Sequence, residues 1–217
     1  MKRHYREHCI ALLVFSLLAV FMTLPVIFQM NSSIAGAGGD PWQTIWRFEA
    51  KAASGIAGFL SDVLGSGEPR LANLSVWPWM GLHALLGQPL TYNIVWLLHF
   101  VLAGYAMALL IKVLTNQTSI LKPAPLLAGI FYMFVPYHVA HSLGHFGAMQ
   151  LEWIPFIALA AMRYIRNPHI FSALILGILL TIQAWTEHHY IVWIALFGIL
   201  AGLVYRKELV NFLPSYE

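Results

Sequence analysis

The sequence predicts an all-α protein: a polytopic transmembrane helical bundle of about six spans, with interfacial amphipathic helices in its first external loop. Three observations lead there. Only 10% of the 217 residues are charged and 59% are hydrophobic, whereas a soluble domain carries about 25% charged residues. Such a chain cannot cover a globular surface with polar groups, so lipid is the natural solvent. Several apolar segments approach the roughly 20 residues that a helix needs to cross a bilayer, and none alternates over ~10 residues like a membrane barrel strand. Finally, the basic residues cluster in alternate loops.

The first span is placed at about 9–30, after the basic segment MKRHYREH. Ala35-Gly36-Ala37 has the form of a signal-peptidase site. The apolar run before it exceeds the ~7–15 residues of a signal h-region, so an uncleaved helix is expected. Five further spans follow at about 92–111, 124–137, 152–163, 170–186 and 190–205, the fourth of them short. Lys2, Arg3 and Arg6, then Lys112 and Lys122, then Arg163 and Arg166, then Arg206 and Lys207 fall on one side. The positive-inside rule makes that side, and the N-terminus, cytoplasmic. Residues 1–217 are read as one transmembrane domain, with 31–91 as a long external loop. The formal charge of +3 is too small and dispersed for nucleic acid. Cys9 is the only cysteine, which excludes an intramolecular disulfide.

Asp40-Pro41-Trp42-Gln43 reads as a helix start: Asp as N-cap, Pro in the first turn, Gln three after the cap. The helix would run to about Leu64. Trp42, Ile45, Trp46, Ala53, Ile56, Phe59, Leu60 and Val63 share one face at 3.6-residue spacing, as suits a helix lying in the membrane interface. Glu49 falls on that apolar face, where it pairs with Arg47 or Lys51, snorkels to water or else serves a function. WPWMGLHALLG, from Trp77, forms a second short interfacial helix. Asp40 is a cap, a general base, or both, since capping fixes a carboxylate and a base must be fixed.

His138, His141 and His145 stand at i, i+3 and i+7, and Glu152 returns to the same helical face; Gly144 and Gly147 argue against an unbroken helix. The set suits a divalent cation, a phosphate or sugar, or a plain interface. Glu187-His188-His189-Tyr190 adds a second cluster on the same side. His99 alone lies well inside a span and reads as a hydrogen-bonded packing residue. Intramembrane carboxylates, which a proton path needs, are not expected.

The order of these features resembles the N-terminal half of the prokaryotic GT-C-type membrane glycosyltransferases that use polyprenol-phosphate sugars. The basic N-terminus and first span come first. They are followed by Gly39-Asp40 with Trp42 and Gln43, the amphipathic loop helix, and a Pro-x-x-Gly element at Pro78 to Leu82. Asn93 opens the second span and Leu114-Thr115 closes it. Ala128-Gly129, the Pro-Tyr-His-x-x-His-x-x-Gly-His segment at 136–145, Trp153-Ile154-Pro155 and a Tyr-containing turn complete the series. Each motif is short, and their order carries the likeness. The resemblance implies transfer of a sugar from a polyprenyl-phosphate donor at the non-cytoplasmic face of a bacterial or archaeal plasma membrane. It implies that Asp40 is the catalytic acid residue, acting as base or as ligand of a divalent cation (Mg or Mn). By analogy, Glu49, Arg70, His138, His141, His145, Glu152, Glu187 and His188 would contact substrate. Such enzymes often carry paired acids in this loop and more than six spans. Here Pro41 follows Asp40, Glu49 is the next acid, and the chain reads as an N-terminal fragment, a stand-alone half or a degenerate member. Two other classes stay open: a transporter with an external His-rich loading site, and a non-catalytic membrane assembly or lipid-binding subunit.

Overall fold

A computed structural model describes residues 2–36, 39–64 and 76–204. The described residues form nine α-helices and no strand: α1 (Lys2–Met22), α2 (Gly39–Leu64), α3 (Met80–Leu86), α4 (Leu90–Leu114), α5 (Pro123–Met133), α6 (Pro136–Ser142), α7 (Trp153–Arg166), α8 (Ile170–Thr186) and α9 (His188–Val204). The all-α expectation holds. Arg70, Arg206 and Lys207 lie outside the described residues.

Local chemistry sets the helix ends. Pro123 and Pro136 occupy first-turn positions, where a missing N–H costs nothing. Val135, preceding Pro136, is driven to ψ 138°, so α5 and α6 meet at a 40° bend instead of forming one straight span. His169 caps α8 by accepting from the Phe171 N–H, while Ser172 Oγ accepts from the His169 N–H. Gln88 Oε1 accepts from the Tyr92 N–H at the start of α4.

α4 is the central helix, and α1, α3, α5 and α7 all pack on it. α1 offers Ala11, Phe15 and Ala19 at successive i+4 steps, all buried. α5 offers Pro125, Gly129 and Met133 in the same rhythm. At the crossing of α4 with α5 the backbones nearly touch: a Cβ on Gly129 would lie 2.5 Å from the Gly104 carbonyl oxygen and 2.6 Å from Phe15 Cζ. Close approach through small residues is how helices associate when lipid, not water, surrounds them. The outer faces agree. Leu13, Leu17 and Phe21 of α1, Phe171 and Ile178 of α8, and Val192, Phe197 and Leu203 of α9 are exposed. Polar side chains such as Asn93, Gln150, Glu152 and Gln183 are buried.

Two helices are long and apolar enough to cross a membrane, Tyr5–Met22 within α1 and Leu90–Leu114, and the bent α5–α6 pair would be a third. The expected count of six spans is therefore not met by length. α8 and α9 have 17 residues each, about 25 Å of helix against a hydrocarbon core of about 30 Å. α7 has 14 and ends in Arg163 and Arg166.

Helix directions put Arg6, Lys112, Lys122, Arg163 and Arg166 at one end, whereas Arg47 and Lys51 follow Asp40 on α2. His8 of α1 meets the Tyr105 hydroxyl at 2.9 Å, so Arg6 lies toward the Lys112 end of α4. Lys122 begins α5, which crosses α4 at Gly129. α8 starts four residues after Arg166 and finishes at Thr186, against Gly147. Asp40, His145 and Glu187 gather at the other end.

Candidate functional site

Asn93 builds the approach to Asp40. Its amide donates to the carbonyls of Met30 and Ser33, and its Oδ1 accepts from the Ala35 N–H, all within 2.8 Å. One buried side chain thus satisfies three backbone groups of the loop that leaves α1. Gly36 follows at φ 95°, pressed so closely on the end of α6 that a Cβ would lie 2.9 Å from the Leu143 carbonyl oxygen. The chain then enters α2, with Asp40 in its first turn. Its carboxylate Oδ2 stands 3.1 Å from His145 Nδ1, across 105 positions of sequence. Both groups are open to solvent, at 44% and 66%. Asp40 is therefore the second residue of α2 instead of the expected cap before it, and it faces a histidine.

The histidines divide. α6 stops at Ser142, so the expected single face for His138, His141, His145 and Glu152 does not form. His141 stacks on Tyr137 at 3.9 Å, donates its Nδ1–H to the Tyr137 carbonyl, and lies 5.4 Å from the His145 ring. The Tyr137 hydroxyl meets that of Tyr190 at 2.9 Å, and Tyr190 donates to the Ala148 carbonyl. A polar track thus runs from Asp40 through His145, His141 and Tyr137 to the start of α9. His138 turns the other way. It is fully buried, stacked on Phe100 at 4.4 Å, and donates to the Met133 carbonyl.

Glu152 corrects two expectations. The first expectation is exposure near a substrate, and the second is that His99 has no carboxylate beside it. Glu152 is instead fully buried, with Oε1 2.7 Å from Nδ1 of His99 in α4. His99 is thus the hydrogen-bonded residue expected, and its partner is the carboxylate placed outside. Glu152 Oε2, His99 Nε2 and His138 Nε2 have no protein partner. The signal was weak in the sequence because Glu152 opens an apolar helix and looks like a loop residue.

Glu49, expected to pair with Arg47 or Lys51, to snorkel to water or to serve a function, is 59% exposed, and Lys51 turns to Asp62 instead. Its carboxylate lies 3.8 Å from Nε2 of His83, whereas Lys51 grips both oxygens of Asp62 at 2.6–2.7 Å. The cause is Gly55, whose φ of 56° kinks α2 and folds its second half back. Asp62 also accepts from Trp77 Nε1 at 2.9 Å. The fold-back closes an aromatic cleft of about 440 Å³ lined by Phe59, Trp77, Pro78, Trp79, Gln150, Trp153, Ile182, Trp185 and Thr186. Trp42 and Trp46 take no part and are about two-thirds exposed.

Glu187, His188 and His189 bring one ligating atom each to within 4.8 Å of one another. Among the described residues no such group of three forms at Asp40, where His145 is in contact with the carboxylate.

The fold and site thus define a class, an all-α protein with helices suited to a membrane and a polar cluster at one bundle end. Compared with known proteins, the chain matches no family model, no curated protein and no solved structure.

Proposed function

We propose that the protein is a membrane glycosyltransferase of GT-C type, moving a sugar from a polyprenyl-phosphate donor to an acceptor at the non-cytoplasmic face. The observation that carries this reading is the Asp40–His145 contact, which joins the two segments that resembled that family. In this reading α1, α4, the α5–α6 pair, α7, α8 and α9 make six crossings. The short helices are matched by local thinning of the bilayer, and the basic end is cytoplasmic.

Asp40 is the base. His145 donates to Oδ2, which orients the carboxylate and leaves Oδ1 for the acceptor hydroxyl. As the acceptor oxygen attacks the anomeric carbon, its proton passes to Asp40 and the bond to the donor phosphate breaks. In this reading His141, whose ring lies 5.4 Å from that of His145, donates to the departing phosphate, the negative charge that grows in the transition state. The aromatic cleft between Trp79, Trp153 and Trp185, which reaches Thr186 next to Glu187, supplies in the same reading an apolar wall for the lipid. Glu152 and His138 are too deeply buried to touch substrate, and they act through the packing of α4. No step is routed through a metal.

The test is transfer of label from polyprenyl-phosphate sugars in membranes. Asp40→Asn should lower the rate at least ~100-fold, the scale of general-base catalysis, with the protein level unchanged. An unchanged rate would sink the assignment. A second reading, a transporter, is favoured by one observation, the buried Glu152–His99 pair, since ionisable residues in a membrane bundle mark ion paths. Ion uptake that depends on Glu152, with no sugar transfer in the wild type, would decide for it.

A further inference from the structure

We infer that the turn between α8 and α9 is a binding site for a transition-metal dication of the zinc class, held by Glu187, His188 and His189. This does not rest on the glycosyltransfer reading.

Consecutive residues on a helix point about 100° apart and do not normally converge. Here the backbone makes them converge. Glu187 is extended, at φ −153° and ψ 96°, between two helices, while His188 and His189 form the first turn of α9. The carboxylate is thereby turned back over that turn. Nδ1 of His189 is in hydrogen-bond contact with Glu187 Oε1, and Nδ1 of His188 lies 4.0 Å from the same oxygen. The imidazole rings face one another with centroids 4.0 Å apart. Two ring nitrogens and a carboxylate thus point at one small volume.

The three ligands differ in mobility in a useful way. Glu187 is 21% exposed and anchored. Its N–H donates to the Gln183 carbonyl, and the buried Gln183 amide reaches the Thr186 hydroxyl and the Glu187 carbonyl. Gly147 presses on the same turn: a Cβ there would lie 2.7 Å from the Thr186 carbonyl oxygen and 3.4 Å from Glu187 Oε2. The two imidazoles are 68% and 71% exposed, so they can adjust to metal–ligand distance, and the outer side of the site stays open to water. A cation entering would replace the proton shared by His189 and Glu187. Two imidazole nitrogens and one carboxylate suit zinc and its neighbours far better than magnesium or calcium, which prefer all-oxygen shells.

The experiment is zinc titration of the purified, tag-free full chain in detergent micelles, read by calorimetry and by bound metal after gel filtration. One equivalent of zinc should bind, with magnesium failing to compete. Glu187→Gln and His189→Ala should each weaken binding about tenfold or more, and His188→Ala with His189→Ala should remove it. His141→Ala should leave it unchanged. The elution profile and thermal midpoint of each variant report folding, and Glu187→Gln, which keeps size and polarity, decides if the double variant misfolds. Absence of stoichiometric binding in the wild type would overturn the proposal. So would affinity unchanged in Glu187→Gln, or affinity lost in His141→Ala.

Discussion

At the scale of single residues, the chemistry divides between an open pair and a buried one. Asp40 and His145 are solvent-accessible and hold one another at 3.1 Å, which fixes the carboxylate that the proposed reaction uses as base. His99 and Glu152 are fully buried, where removing one partner leaves the other uncompensated. Glu152→Ala should therefore destabilise by about 3–5 kcal/mol, while the apolar double replacement His99→Phe with Glu152→Leu should recover most of that. Thermal unfolding of the wild type, Glu152→Ala and the double variant in detergent checks this; a double variant no more stable than Glu152→Ala would show that the apolar pair does not replace the polar one. His145→Ala, by contrast, should leave stability within about 0.5 kcal/mol, as for an exposed surface residue, yet lower sugar transfer. Asp40 was legible because a helix-start motif singled it out, but its partner 105 residues away was not. Nor was the burial of Glu152, since an acid that opens an apolar helix has the same local pattern whether it faces water or a core.

At the scale of elements, helix positions were largely readable from hydropathy and turn residues. α4, α8 and α9 lie within a few residues of the expected segments, and α2 ends at Leu64 as expected. The departures have local causes. Pro136 splits the third span, and Gly55 kinks α2 through a left-handed backbone that composition does not announce. That kink redirects Lys51 to Asp62 and leaves Glu49 to His83. The α4–α5 crossing offers a sharp test. Gly129→Ala would force a methyl to within 2.5 Å of the Gly104 carbonyl oxygen, where the neighbour is backbone and cannot swing away. It should cost about 1–3 kcal/mol, the usual range for overpacking, measured as a lower thermal midpoint. Gly177→Ala, where a Cβ meets nothing within 4 Å, is the matched control and should change little.

At the scale of the whole molecule, the account rests on one arrangement. Large apolar side chains face outward on α1, α8 and α9, polar side chains such as Asn93, Gln150, Glu152 and Gln183 are buried, and Arg6, Lys112, Lys122, Arg163 and Arg166 lie opposite Asp40, His145 and Glu187, while Arg47 and Lys51 follow Asp40 on α2. Composition alone pointed to lipid as solvent. The proposed outward-facing site requires the basic end to be cytoplasmic, and both the proposed transfer reaction and the proposed metal site depend on which compartment the cluster meets. The most direct measurement is single-cysteine labelling in intact cells with a membrane-impermeant maleimide, in a Cys9→Ser background. Gln43→Cys should label in intact cells; Thr118→Cys and Asn167→Cys should label only after permeabilisation. Labelling of Thr118→Cys or Asn167→Cys in intact cells, or failure of Gln43→Cys to react until the membrane is opened, would contradict the account.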